Sequence, residues 1–504
     1  MSLRFVSLHF CSKFFSLSSS NLSSSQMCGI IGLYGKKNIV YDLLMGLNAL
    51  QHRGQDAAGI ITFEKTFHIK KGLGLVSNVF EQRHADRLTG DIGVGHVRYT
   101  TQGTNELTNA QPIAANYPFG IAMAHNGNVT NFEEMGKVLY EEYHTLPATT
   151  NDLELILYTF ASELKKKDLG SVTPEDIFDA VRITQNKVHG AYAVIAAIAN
   201  HGLLAFTDPN GIRPLVLGKQ ETENGPVYGF ASETVCFDHL GYEVVRDLEP
   251  GEIVYIDQDK NMHSNIGTQK GKNFCVFEFI YFAREDSSMH GKLVAGQRVK
   301  MGRMLGQKLK EMGLEPDMVI DVPTSGYFAA SGLAEVLDIP YKRGLVKSNY
   351  IGRSFISPNQ GERESMVKRK LNPIKKTIQG KKIAVVDDSI VRGTTSRRIV
   401  QTLREAGAKE IYFISAAPPV ISPCIYGIDM SVKTELIAAQ KTVEQIKEYI
   451  EADALIYLPL DDLKSIFSDF LPTCMACLDG LYPTEGALDA LRKIEEERLE
   501  AGGR

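Results

Sequence analysis

The chain has 504 residues, 43% of them hydrophobic and 23% charged, with a formal net charge of −5, which describes an ordinary globular protein long enough for about two to four domains. The slight acidity supplies no basic field for a nucleic acid backbone, and no apolar run reaches the ~18–20 residues that span a bilayer, so the composition argues against both nucleic acid and membrane as partners. Seven cysteines are too sparse for a disulfide framework and fit a reducing compartment. Residues 1–26 are rich in Ser and Phe, carry Arg4 and Lys13 and lack any acidic residue. Three readings fit them: a cleavable organellar targeting segment, a short processed propeptide, or a start codon upstream of a true start at Met27. All three make residues 1–27 a removable leader and place Cys28 first in the working chain. The expected location is the cytoplasm, or an organelle interior if the leader is a transit segment.

Cys28 heads the run Met27-Cys-Gly-Ile-Ile-Gly-Leu-Tyr-Gly35. A cysteine at a new N-terminus carries its own base, because a free α-amine titrates near pH ~8 and can take the thiol proton directly or through one water. Taken alone, Cys28 fits equally a small buried residue of a first strand. From residue 28 to 256 short β-rich runs, such as 29–34 and 191–198, mix with helical patterns over 41–51 and 152–167. Residues 257–273 are polar and irregular and read as a linker. From residue 275 to 485 apolar strands at 318–322, 383–387 and 411–416 alternate with helices, which implies an α/β domain with a parallel sheet and crossover helices. Residues 486–504 close the chain as a charged helix with Leu488, Leu491, Ile494 and Leu499 on one stripe.

Four polar clusters follow Cys28: Gln51-His-Arg-Gly-Gln-Asp-Ala-Ala-Gly59, Gly95-His-Val-Arg-Tyr99, Ala124-His-Asn-Gly-Asn128 and Thr150-Asn-Asp-Leu-Glu154. Together they resemble the class II glutamine amidotransferases, whose domain is an N-terminal nucleophile αββα sandwich, an α+β fold. The resemblance implies that Cys28 attacks the carboxamide of glutamine. It also implies that Asn126 and the backbone N–H of Gly127 stabilise the oxyanion. Arg98 would hold the glutamine α-carboxylate and Asp152 its α-ammonium, with Arg53 beside Cys28 in the same glutamine site.

The most specific motif lies in the second half. In Lys382-Ile-Ala-Val-Val-Asp387-Asp388-Ser-Ile-Val-Arg392-Gly393-Thr394-Thr395-Ser396 an apolar strand delivers two carboxylates, and a Gly/Thr/Ser turn opens a helix over 397–406. The amides of that turn and the helix dipole suit a phosphate dianion; the carboxylates suit ribose hydroxyls and Mg²⁺. No Walker motif is present. The run resembles the 5-phosphoribosyl 1-pyrophosphate (PRPP) signature of type I phosphoribosyltransferases, which implies PRPP contacts from Asp387, Asp388, Arg392, Gly393, Thr394, Thr395 and Ser396. By the same resemblance Val322-Pro-Thr-Ser-Gly326 is a pyrophosphate loop, and Ser325 joins Asp387 and Asp388 around one Mg²⁺ per subunit. Lys347-Ser-Asn-Tyr350-Ile-Gly-Arg353 would open the loop that closes over PRPP, contributing Lys347, Tyr350 and Arg353. Ser348 and Asn349 depart from the pattern usual there.

Cys275, Cys424, Cys474 and Cys477 offer a Cys-x-x-Cys pair and two distant partners, and this spacing alone serves Zn²⁺ or an iron–sulfur cluster. The pairing of the two halves resembles the amidophosphoribosyltransferases, and within that family the four positions match the subgroup that holds a structural [4Fe–4S] cluster. Cys11 lies in the leader, and Cys236 reads as a core residue. The family resemblance further implies that glutamine, PRPP and water give 5-phosphoribosylamine, glutamate and pyrophosphate in the opening step of purine synthesis, with ammonia passed internally. It also implies purine nucleotide feedback inhibitors and a homodimer or homotetramer. A catalytically silent PRPP-sensing regulator is the reading from another class, against which the intact set Cys28, Arg98, Asn126 and Asp152 argues.

Overall fold

The computed structural model describes residues 27–35, 38–99, 106–223, 225–347, 371–428, 430, 432–468 and 472–500. The first half runs β1 (Gly29–Tyr34), α1 (Val40–Ala49), β2 (Ala57–Phe63), β3 (Phe67–Leu73), β4 (Ile92–Arg98), β5 (Ile113–Ala115) and β6 (Ile121–Val129). It continues through α2 (Phe132–Glu141), α3 (Leu153–Lys165), α4 (Pro174–Lys187), β7 (Gly190–Ile198), β8 (Gly202–Thr207), β9 (Val216–Thr222), β10 (Gly225–Ala231), β11 (Glu243–Asp247), β12 (Glu252–Asp257) and β13 (Met262–Ile266).

Two antiparallel sheets result, in the orders β11-β9-β10-β1-β4-β2-β3 and β13-β12-β8-β7-β6-β5. Their facing sides share a core that includes Ile30, Val94, Ala193, Ile195, Leu217, Phe230 and Val254. Strands buried on both faces are apolar throughout, which is why β1 and β7 read as continuous hydrophobic runs. The outer face of the first sheet is covered by α1 through Leu43, Leu47 and Leu50. That of the second is covered by α3 and α4 through Leu157, Phe160, Ile177 and Val181. Helix, sheet, sheet, helix is the layering expected from the resemblance. α4 goes beyond the two helical patterns read from the sequence, although its start is encoded: Thr173 and Asp176 form a reciprocal capping box and Pro174 follows the cap.

The segment read as a linker also needs correction. β13 pairs with β12 from Glu252↔Ile266 to Ile256↔Met262. Its two apolar residues, Met262 and Ile266, face outward on an edge strand, so the strand lacks the buried alternation that would reveal it.

In the second half β14 (Phe274–Cys275) precedes α5 (Val294–Glu311), β15 (Met318–Asp321), α6 (Tyr327–Leu337), β16 (Lys382–Asp387), α7 (Thr394–Glu405), β17 (Glu410–Ser415), β18 (Ala454–Tyr457), β19 (Thr473–Cys474) and α8 (Ala487–Glu500). β15, β16, β17 and β18 lie side by side in that order, all parallel. Apolar clusters cover both faces of this sheet. Of the stripe expected on α8, Leu491 and Ile494 pack against the core, Leu488 is 61% exposed while Ala487 and Ala490 are buried, and the side chain of Leu499 lies outside the described residues.

Candidate functional site

Cys28 sits at the head of β1, where the backbone runs between β10 and β4. Its Sγ lies 3.5 Å from the Tyr99 carbonyl oxygen. Burial pushes the thiol up from its ordinary value, opposed by the Tyr99 backbone contact and the guanidinium of Arg98. Arg98, at the end of β4, is itself buried; burial lowers its guanidinium from the ordinary value, opposed by the charges of Cys28, Asp152 and Asp56.

β6 carries the third cluster. Gly127 stands where a Cβ would lie 1.9 Å from the Ala191 carbonyl oxygen, so only glycine lets β6 and β7 close at this point. Next to it the Asn126 side chain is 1% exposed and its Nδ2 has no hydrogen-bond partner among the described residues. A buried donor left unpaired costs about 1–3 kcal/mol, which makes it a place for a ligand oxygen.

The neighbouring His125 orients Asp152. Gln111 Oε1 accepts the His125 backbone N–H at 2.9 Å, so Gln111 Nε2, 2.9 Å from His125 Nδ1, is the donor there. The ring proton therefore resides on Nε2, which donates to Asp152 Oδ2 at 3.2 Å; the Val129 N–H donates to the same oxygen at 3.0 Å. Burial opposes the Asp152 charge, but His125 and the backbone donors hold its carboxyl below the usual range. The sequence reading quoted His125 inside a motif and gave it no role, and Gln111 left no local signal.

The structure corrects the role of Arg53. Its Nε donates to the Cys28 carbonyl oxygen at 2.9 Å, Nη1 to Glu233 at 2.6 Å, and the fork of Nη1 and Nη2 to Glu278 at 3.0 and 2.8 Å. All three side chains are 0% exposed. A guanidinium so engaged holds the backbone of the nucleophile and has little left for glutamine. Glu233 also receives His52 at 2.8 Å. Burial works against its charge, yet His52 and Arg53 hold its carboxyl far below the ordinary range.

The second constellation forms at the C-terminal ends of β15 and β16. Asp387 is 7% exposed, and burial with the neighbouring Asp388 charge pushes its carboxyl well up. Burial raises Asp388 too, against hydrogen bonds from Ser325 and Ser389. Asp321, at the end of β15, adds a third carboxylate to this field. Gly393 begins α7 with φ 75°, a left-handed conformation that places the first amides of the helix in a turn. Arg392 donates to Glu435 at 2.6 Å. Thr394, Thr395 and Ser396 form the first turn of α7. Lys347 is exposed at the end of a short strand, Leu345–Lys347, paired with Leu371–Pro373; Tyr350 and Arg353 lie outside the described residues.

The hard oxygen donors of Ser325, Asp387 and Asp388 fit Mg²⁺, which takes one or two carboxylates and completes its octahedron with water and substrate phosphates. The four cysteines also meet. Cys275 and Cys474 face each other on the parallel pair of β14 and β19. Burial raises the Cys275 thiol to about 12, and Cys424 and Cys474 each interact electrostatically with it. Burial likewise raises Cys477, whose neighbours include all three others. Four thiols within electrostatic range of one another are of the donor type that suits a soft, thiolate-binding group. Among the described residues no three His, Cys, Asp or Glu side chains close tightly around one point. Cys236 is buried beneath α1, as expected, and no described helix is long and apolar enough to cross a membrane.

Comparison with known proteins agrees with this arrangement. Residues 96–239 match the glutamine amidotransferase domain family and residues 296–418 the phosphoribosyl transferase domain family. Over 487 residues the chain is 44% identical to the amidophosphoribosyltransferase of Pseudomonas aeruginosa, covering 94% of this chain and 97% of that one. Over 489 residues it is 43% identical to the Escherichia coli enzyme of the same name, with 94% and 97% covered. The glutamine PRPP amidotransferase of B. subtilis, solved with ADP and GMP, superposes with a TM-score of 0.81 at 37% identity, covering 91% of this chain and 98% of that one. The chain belongs to the amidophosphoribosyltransferase family.

Proposed function

We propose that the chain releases ammonia from glutamine at Cys28 and joins it to the anomeric carbon of PRPP, giving 5-phosphoribosylamine, glutamate and pyrophosphate, the first step of purine synthesis. The observation that carries the reading is the buried Nδ2 of Asn126, without a partner among the described residues, on the strand whose His125 orients Asp152, which with Arg98 bears on Cys28. Once residues 1–27 are removed, the Cys28 α-amine takes the thiol proton, and the thiolate attacks the carboxamide carbon. Asn126 Nδ2 and the Gly127 N–H then receive the oxyanion. Arg98 forks onto the substrate carboxylate, and the Asp152 charge faces its ammonium. As the tetrahedral adduct breaks down, the α-ammonium protonates the leaving nitrogen, neutral ammonia departs, and water then hydrolyses the thioester to glutamate.

In the second half the amides of residues 393–396 hold the 5′-phosphate, and Asp387 and Asp388 hold the ribose hydroxyls. Mg²⁺ between Ser325, Asp387 and Asp388 would neutralise the departing pyrophosphate. A [4Fe–4S] cluster on Cys275, Cys424, Cys474 and Cys477 would pin the C-terminal stretch to the second domain. A brown preparation containing iron supports that assignment, and an active, colourless, iron-free one refutes it. The loop through Tyr350 and Arg353 would close over PRPP so that ammonia passes between the sites without being protonated in bulk water. Purine nucleotides as inhibitors and assembly into dimers or tetramers follow from kinship with enzymes such as that of B. subtilis, solved with ADP and GMP.

The test is Cys28→Ala. Glutamine-dependent synthesis is lost while synthesis from added ammonium salt persists. Loss of both would overturn the division of labour.

A further inference from the structure

The strand that carries the oxyanion donors is gripped from the other half of the chain. Asn128, two residues after Asn126 on β6, is 4% exposed and donates from Nδ2 to the Ile425 carbonyl oxygen at 2.8 Å. One residue away, a Cβ built on Gly427 would lie 2.9 Å from the Gly127 carbonyl oxygen, so the two backbones are in direct contact. Between these points the Tyr426 carbonyl accepts from Nε of the fully buried Arg213 at 2.8 Å and again from its Nη2. Residues 425–427 thus touch Gly127 and Asn128, the two residues that follow Asn126 on the oxyanion strand. They are tied at their far side by the C-terminal stretch: Tyr482 donates to the Pro423 carbonyl at 2.5 Å, and the hydroxyls of Tyr426 and Thr484 lie 2.8 Å apart.

Asn128 is a poor device for stability alone. Its Oδ1 is buried and without a partner, so the amide loses part of its hydration and recovers a single bond. Successive residues of a strand alternate faces, which places Asn126 and Asn128 on the same side of β6. A shift of the 425–427 segment is therefore transmitted to the side where Nδ2 of Asn126 waits.

We propose that Asn128 is a positioning residue: by holding the Ile425 carbonyl it fixes β6 against the second half of the chain and so fixes the oxyanion geometry of Asn126 and Gly127. The inference rests on the assignment of Asn126 and Gly127 as the oxyanion donors. An oxyanion exists only in the tetrahedral state, so a displaced donor lowers kcat and leaves substrate binding largely intact.

The experiment is a double-mutant cycle in the full-length processed enzyme. Asn128→Ala is expected to lower kcat for glutamine hydrolysis about tenfold, part of the 10²–10³ that removal of a donor costs, with KM little changed. In an Asn126→Ala background the same change is expected to cost less, about threefold, because one of the two donors it positions is already gone. The γ-aldehyde analogue of glutamine, which adds to the thiol as a tetrahedral adduct, should bind Asn128→Ala weaker by the same factor, while product inhibition by glutamate is unchanged. Gly427→Ala, which pushes the same 425–427 segment against the Gly127 carbonyl, should reproduce the kcat loss if Asn128→Ala does not fold. Equal losses in both backgrounds, a pure KM effect, or parallel weakening of aldehyde and glutamate overturns the proposal. A wild-type enzyme without glutaminase activity would instead overturn the underlying site assignment.

Discussion

At the residue scale, two buried polar groups in the glutamine site answer to opposite rules. Asn126 Nδ2 has no partner among the described residues, so loss of that donor breaks no hydrogen bond there. Asn126→Ala should change unfolding stability by less than about 1 kcal/mol while lowering glutaminase kcat by about 10²–10³, a split read by denaturant unfolding alongside kinetics. Arg53 is the reverse case, with its guanidinium between Glu233 and Glu278 and no exposure. Arg53→Met leaves Glu233 to His52 and Glu278 to the more distant Arg213 and should cost about 3–5 kcal/mol, measured by the same unfolding curves. The sequence made the polar clusters legible as a set, because polar residues inside apolar β runs have no folding role. It could not separate Arg53 from Arg98. That distinction depends on Glu233 and Glu278, 180 and 225 residues away along the chain, and no local pattern encodes such partners.

At the element scale, the phosphate turn was the plainest feature in the sequence, because β16, its two carboxylates and the first turn of α7 are contiguous. Gly393 is held at φ 75°, and a Cβ there would meet Ile437 Cδ1 at 2.6 Å. Gly393→Ala should strain the turn by about 1–2 kcal/mol, raising KM for PRPP roughly tenfold with glutaminase kcat unchanged. Steady-state kinetics with each substrate varied checks this. The carboxylates of the same turn predict a pH effect. Burial raises both Asp387 and Asp388, so a bound cation must displace protons, and affinity for Mg²⁺ should rise with pH until both ionise. Titration calorimetry with MgCl₂ across acid to neutral pH would show it, and a flat profile would contradict it. Elements were harder to read where the apolar signal faced outward. β13 was hidden by the exposure of Met262 and Ile266, and the inner face of α8 was partly hidden because Ala487 and Ala490 are buried while Leu488 is exposed.

At the scale of the whole molecule, the two halves read from the sequence as separate domains share buried structure. The core of the second half includes Ala191 and Ile212 from the first. Glu278, which opens a short helical stretch at residues 278–282, closes on Arg53 and lies 3.8 Å from Arg213. Burying these charges is worthwhile only while every partner is present, since each remaining carboxylate or guanidinium would otherwise face a low-dielectric interior alone. The halves should therefore unfold together, in one calorimetric transition, despite their separate sheets. Glu278→Ala removes one carboxylate from between two guanidiniums and leaves Arg53 to Glu233 alone. The same scan should then resolve two transitions, with the glutaminase half lost at the lower temperature and ammonia-dependent synthesis outlasting glutamine-dependent synthesis on heating. A single transition merely shifted downward would mean that the apolar contacts across the junction suffice to couple the halves and that the ion pairs only orient them.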